Sequence, residues 1–491
     1  MSNKGQRQLR RLHIAPPSGQ KPSPNLVTTD VAAMAEELVS YHALFHDLFL
    51  RSEQRQWSEF YLRGQLSQID RKTVEPMVLA LRGPDAAAIR AVQQFLGEGA
   101  WSDDPILERH QSLVGDTLGE SDGIVIFDGS GFPKQGTNSV GVARQYCGVL
   151  GKVANCQVGA FAAYASRCGY TFLDRRLYLP EHWLTDSHDE LRKKCGVPAE
   201  VVFRTEPELA IEMLHALVER NRVPFQWVAA DEHYGMNPKF LDAVAALGKW
   251  YFAEVPCSTK VWVKAPQLEP VGQGPLGRPR KHLRVASGEA PTEEVRALAA
   301  RLPKSAWKRA TIKEGSRGPI EAEFAFVRAT RARRGRPAGN GERVWVVFRR
   351  STQPAAEVKV YLSNAPQNCP KSELTRVCGM RWPVESAFEE AKGELGMDHY
   401  EVRTWRGWHH HMTQTFLAHH FLVRMRLKLK KSTSTDGGTG KSVSSERARS
   451  AKFDARRSNR DRALSSATEL CSISVTSQTN ADKISGTRIS A

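Results

Sequence analysis

The chain has 491 residues, with 70 Lys+Arg against 53 Asp+Glu, a net charge of +17 and a pI near 9.6. That length exceeds a single compact core and predicts two or three domains, while the charge fits a polyanionic partner. No apolar run approaches the roughly 20 residues of a membrane span, and the basic start MSNKGQRQLRRLH lacks the apolar stretch of a secretory signal.

Residues 1–27 are polar and basic and read as a flexible arm. From 28 to 115 apolar residues recur at three- and four-residue spacing, as in VAAMAEELVSYHALFHDLF, predicting an all-α N-terminal domain with a possible role in DNA binding. A different pattern begins near 116 and runs to 255. GIVIFD (123–128), CQVGAFAAYAS (156–166), TFLDRRLYLP (171–180), FQWVAAD (225–231) and WYFAEV (250–255) read as strands, and 206–220 and 237–247 as amphipathic helices. Between 256 and 375, Pro/Gly/Arg-rich loops separate strand-like runs such as VWVVFRR and EVKVYLSN, which predicts a β-rich insertion. From 376 to 431 two helices are expected, the second a long basic amphipathic one beginning at WHHHMTQ. Eight cysteines show neither a CxxC pair nor a zinc-like spacing, which points to thiols in a reducing cytoplasm.

The fold class is therefore α/β, and chemistry concentrates where its acids converge. Asp128 and Asp231 each end an apolar strand, and RWPVESAFEEAK supplies a helix opened by Pro383. Arg381, Glu385 and Lys392 stand at offsets of 0, 4 and 11, which at about 100° per residue return to one face. Acids at the carboxyl ends of neighbouring strands meet at the rim of an α/β sheet, where ligands bind. Three carboxylates there can hold two divalent cations and act on a phosphodiester, with Mg2+ suited to all-oxygen ligation and Mn2+ an acceptable substitute. The segment after Asp128 is rich in Gly, Ser, Lys and Arg and reads as a phosphate-facing loop, with Lys134 and Arg144 as its cations. Tyr234 and Lys239 suit a nucleotide-facing edge beyond Asp231. Taken singly, each Asp also reads as a turn or helix cap, and the helix as a solvated charge stripe.

Four blocks carry a family resemblance: IFDGSGFPKQGTNSVGVARQYCGVLGKVANCQ, WVAADEHYGMNPKFL, WYFAEVP and RWPVESAFEEAKGELGMDHYEVRTWRGWHHHMT. With them the chain resembles DDE-type transposases of bacterial insertion sequences, in the IS four superfamily and its seven-hundred-and-one branch. Arg381, Glu385 and Lys392 match that superfamily's Tyr-Arg-Glu-Lys spacing, while Cys378 stands where the signature has Tyr. The resemblance implies a ribonuclease-H-like core interrupted by a β-rich insertion, with Asp128, Asp231 and Glu385 as metal ligands. It implies cleavage of double-stranded DNA at the element's terminal inverted repeats and transfer of the 3′-hydroxyl to target DNA, without a covalent protein intermediate. Arg381 and Lys392 would hold phosphates, self-association would pair two ends, and the protein would work on the bacterial nucleoid. A decayed DNA-binding product of such an element and a metal-dependent nuclease of the same fold remain as alternatives.

Glu389 and Glu390 are rival acids on the glutamate helix. His409–His411 and His419–His420 lack a matching ligand pair and read as structural or DNA-facing. The basic loops at 274–282 and 328–343 could meet the DNA backbone. Periodicity vanishes from Ser432 to 491, a tail read as disordered or frameshifted. Plausible codons for STSTDGGTGK, read one base on, give the apolar run A-P-A-L-T-V-A-Q-V, which resembles how the family continues.

Overall fold

The computed structural model describes residues 28–269, 284–315, 318–332, 342–352 and 358–435. The expectations for the arm, for the basic loop at 274–282, for most of the loop at 328–343 and for the tail beyond 435 lie outside them.

Five helices come first: α1 Thr28–Ala43, α2 Ser52–Leu66, α3 Val74–Arg82, α4 Ala86–Gly97 and α5 Asp103–Leu118. α4 is capped by Asp85, whose carboxylate accepts from the Ala88 amide, and buries Ala88, Val92, Phe95 and Leu96 at helical spacing. Strands follow: β1 Ile124–Pro133, β2 Ala143–Cys147, β3 Lys152–Ala165 and β4 Tyr170–Leu177. Helices α6 Asp189–Cys195 and α7 Glu206–Arg220 lead to β5 Trp227–Ala230, α8 Glu232–Gly235, α9 Pro238–Ala246 and β6 Trp250–Val255.

These strands share one mixed sheet in which β4 lies beside β3, β3 beside β1, β1 beside β5 and β5 beside β6. β1, β5 and β6 run parallel, and β3 is antiparallel to both β1 and β4. Alternation along β1 divides its side chains between two cores. Ile124, Ile126 and Phe132 face a cluster with Phe161, Phe388 and Trp408, and Val125 and Phe127 face one with Met213, Leu214 and Phe240.

Two sequence expectations need correction here. Asp128 does not end its strand: β1 runs on to Pro133, paired with β3 throughout, and Gly-Ser-Gly is held extended by that partner against its own propensity. What stops at Phe127 is the parallel pairing with β5. Likewise, much of the Gly-rich stretch read as a loop is strand, forming the rest of β1 and the β2–β3 hairpin.

The segment between β6 and the glutamate helix contains β7 Lys260–Trp262, β8 Leu268–Glu269, β9 Arg284–Val285, β10 Glu293–Glu294, α10 Val295–Arg301, β11 Lys308–Gly315, β12 Gly318–Arg331, β13 Arg343–Ser351 and β14 Val358–Ser363. β14 pairs with β6, so most of these strands extend the same sheet, while β8 and β9 form a separate pair. The chain closes with α11 Lys371–Gly379, α12 Pro383–Leu395 and α13 Trp405–Thr435. The expected long helix is α13, and it is buried from Trp408 to Val423 at nearly every position, so its histidines are structural. One side meets β4, and the other joins Leu62, Leu66, Phe95 and Met77 in a third core.

Candidate active site

Register builds the site. With Phe127 opposite Ala230 in parallel pairing, Asp128 and Asp231 come next in line on adjacent strands, about 4.8 Å apart at the backbone. Along β1 the residues before Asp128 and those from Ser130 to Phe132 are buried, whereas Asp128 and Gly129 are half-buried. Asp231 follows four buried residues of β5 and caps α8, accepting from the Tyr234 amide at 3.3 Å. The capping role and the site role are compatible, because a carboxylate has a second oxygen to offer.

α12 brings Glu385. Its buried stripe of Val384, Ala387, Phe388 and Ala391 packs onto the sheet, and Leu395 joins the third core. Glu385 and Lys392, seven residues apart, therefore border that stripe on one side, while Glu390 borders it on the other. The rivals are accounted for by this geometry. Glu390 accepts from Tyr170 Oη at 2.5 Å and from Arg426 at 2.9 Å, and Glu389 points outward.

Electrostatics ties the three acids together. Burial, then the Asp231 carboxylate, push the Asp128 carboxyl up to about 7, with Glu385 adding to the rise and Arg381 opposing it. Arg381 donates to Glu385 at 3.2 Å. Burial works against the guanidinium charge, but Asp128, Glu254 and Glu385 hold Arg381 above its ordinary value. One guanidinium therefore serves several carboxylates.

Sequence reasoning missed a fourth acid, Glu206 at the start of α7. Thr205 and Glu208 form the capping box of that helix, which leaves Glu206 free to turn toward the sheet. Its Oε2 would lie 2.7 Å from a Cβ at Gly129, so a glycine there admits it beside β1. Burial, with Asp231 also contributing, raises its carboxyl, and His233 stands 3.9 Å away as a partial counter-charge. The T-x-x-E box was legible, but only the fold shows where the spare glutamate goes.

The other expected residues separate. Lys392 donates to the Gly131 carbonyl at 3.3 Å, two residues past the Asp128–Gly129 opening, with its cation 5.0 Å over Phe132. Lys134 is spent on the Tyr400 carbonyl and ring, at 3.1 and 3.5 Å, and burial lowers its ammonium to about 8. Arg144 stands out on the β2–β3 hairpin. Cys378 is buried against Tyr361, and burial pushes its thiol to about 11, so it offers nothing to phosphate. Tyr234 does not face a nucleotide, since it is 1% exposed. Lys239 pairs with Glu208 at 3.6 Å.

The fit of this group of acids to a cation rests on one buried atom. Tyr234 Oη has no hydrogen-bond partner among the described residues, and Glu206, Asp128 and Asp231 all act on its hydroxyl. An all-oxygen donor set of this kind suits a hard divalent ion. Among the described residues no three acid, His or Cys side chains converge tightly enough to grip one ion. Each carboxylate is instead held by a local donor: Asp128 by the Gly129 amide, Asp231 by Tyr234 N and Glu385 by Arg381.

Comparison with known proteins decides the family. The model of the DDE superfamily endonucleases matches residues 44–319, more than half of the chain. The chain belongs to the DDE superfamily endonucleases. The matched span holds Asp128, Asp231 and Glu206 of this DDE-superfamily protein and stops before Glu385. A relative from Microchaete diplosiphon, described as a probable transposase for insertion sequence element IS701, is 29% identical over 219 residues. That alignment covers 44% of this chain, which thus spans about half (51%) of the relative's length. Among solved structures, the NurA nuclease from Sulfolobus solfataricus aligns over 69% of this chain and 94% of its own, at 10% identity and a TM-score of 0.24, too slight a likeness to argue from. No described helix is long and apolar enough to cross a membrane.

Proposed function

We propose that the protein is a DNA transposase that cuts the ends of an insertion element and joins the 3′-hydroxyl to target DNA. The observation that carries the reading is the alignment of Asp128 and Asp231 on adjacent parallel strands, with Glu385 acting on Asp128 from α12. The strand order β4–β3–β1–β5–β6, with β3 alone antiparallel to both neighbours, supports a ribonuclease-H-like core. On this reading 28–115 forms the N-terminal helical domain, 116–255 and 376–431 make the core, and 256–375 is the insertion.

Asp128, Asp231 and Glu385 would hold two Mg2+ ions, with Glu206 as a fourth carboxylate at their edge. When bound, such ions activate the attacking oxygen and stabilise the leaving oxygen of a phosphodiester. The chain's own part is positioning and charge. Arg381 holds Glu385 in place and limits repulsion among the acids. Lys392 borders the same opening and can trade its carbonyl for a phosphate oxygen, and Arg144 extends the basic surface away from it, while Lys134 stays with Tyr400. Pairing of two ends calls for self-association in the active complex.

Strand transfer on precut DNA ends, taken from the flanks of the protein's own coding sequence and supplied with Mg2+, tests the reading. Joined product is expected. Glu385→Gln should reduce joining more than about 100-fold, as losses at a metal shell do, while sparing DNA binding. Cleavage without joining would make the protein a nuclease of this fold, and binding without either reaction would reject the enzymatic reading.

A further inference from the structure

The β2–β3 hairpin presents an unusual surface. Tyr146, Val149, Leu150 and Val153 are 66%, 56%, 45% and 55% exposed. Four of the thirteen exposed large apolar side chains among the described residues thus fall within eight positions. The hairpin is anchored rather than loose, for its other face packs Cys147, Cys156 and Val158 into a small core of their own. Tyr146 lies opposite Val153 and Arg144 opposite Asn155, so all four share one face. Counted along β3, that face is also the one that carries Phe161 and, opposite it, Asp128.

Charge selects the partner. From Gly129 to Leu173 the chain has no Asp or Glu, while Lys134, Arg144, Lys152 and Arg167 lie within it. Arg144 and Lys152 are exposed beside the apolar tip, and neither makes an ion pair among the described residues. A second copy docking by twofold symmetry would bring these cations against each other. A polyanion with apolar faces between its charges suits the tip, and DNA is such a molecule. Ten residues of β3 separate Phe161 from Gly151, roughly 33 Å of strand, or about ten base pairs along a duplex.

We propose that this hairpin is a DNA-distorting wedge about one helical turn from the cleavage site. Val149 and Leu150 enter a base step, Tyr146 stacks on the base so exposed, and Arg144 and Lys152 hold the flanking phosphates. Apolar side chains that part a base step and cations that brace its backbone are the known physical elements of such bending. The inference rests on the DNA-processing reading above.

The test uses the full chain and two probes of one arbitrary 30-base-pair sequence, one fully paired and one with two central mismatches, followed by fluorescence anisotropy. Mismatches prepay the unstacking, so the wild type should bind that probe about fivefold tighter or more. The double variant Val149→Ser/Leu150→Ser should bind both probes alike with an unchanged salt slope, and Tyr146→Ser should show a smaller loss of preference. A variant that keeps the full preference, or a wild type without one, overturns the wedge and leaves DNA binding intact. A variant that dissociates in sedimentation while its DNA preference is unchanged makes the tip a contact between copies and overturns it too. Failure of the wild type to bind either probe overturns the DNA reading itself. Melting curves of both variants confirm that these exposed changes leave the fold in place.

Discussion

Two regions of this molecule bury polar side chains, and they do so in opposite ways. In the seam between α13 and the N-terminal helices, most buried polar side chains find neutral partners, although Gln65 Oε1 and His420 Nε2 have none among the described residues. Tyr61 Oη meets His411 at 2.8 Å, Gln65 donates to Thr415 at 2.7 Å, and His410 lies stacked on Trp101 between the carbonyls of Leu96 and Trp101. Burial lowers His42, His410 and His411 to about 3, so they remain uncharged in the fold. At the rim of β1 and β5, by contrast, Asp128 and Glu385 share Arg381, Asp231 acts on both Asp128 and Glu206, and Tyr234 Oη has no partner among the described residues. Matched polar pairs specify packing. Unmatched like charges are tolerated where a ligand is to supply the missing charge.

Removing single groups on each side breaks or sharpens that contrast. The first group to remove is Glu206. Glu206→Gln should weaken Mn2+ binding, measured by calorimetry, about 10- to 100-fold, and unchanged affinity would remove it from the cation site.

Next comes Asp128→Asn, measured in EDTA. The Asp128 carboxyl has a folded value of about 7 against an ordinary 3.8, so its contribution is complete below 3.8 and lost as pH rises through 7. At pH 8 the Asn variant should therefore be more stable than wild type, by an order of 2–4 kcal/mol, and a lower melting temperature would refute the idea of stored repulsion. The seam has the reverse sign. Histidines with depressed values stabilise above their ordinary 6.5 and lose that contribution as pH falls toward 3.

The smallest effect is expected at Tyr61→Phe, which strips one partner from His411. A loss of about 1–2 kcal/mol in stability with unaltered Mn2+ affinity would keep the two regions independent. A change in metal binding would instead couple them.

Much of the core was legible because its strands are apolar runs, closed by an acid in FQWVAAD, and because α7 and α12 announce themselves by a capping box and an N-terminal proline. What local pattern could not reveal were effects imposed by neighbours. β1 runs past Asp128 only because β3 pairs with it as far as Pro133. α13 read as a basic amphipathic helix, and only its neighbours on two sides show that most of its His, Thr and Gln residues find partners inside. Glu206 was hidden for a similar reason, since its direction depends on a glycine 77 positions earlier on another element. The Arg381–Glu385–Lys392 stripe was visible from spacing alone. That Arg381 stays with the acids while Lys392 reaches Gly131 was not.

The burial of α13 has a consequence for the order of synthesis. The N-terminal helices fold onto a helix that emerges from the ribosome nearly 290 residues after α5 ends, roughly 15 to 60 s later at ordinary elongation rates. Until then their apolar faces lack a partner, and α12, with Glu385, emerges only shortly before it. A nascent chain therefore carries Asp128 and Asp231 through 154 residues of further synthesis before Glu385 joins them, so on the proposed reading a half-made copy lacks a complete set of acids while its own message is still being read.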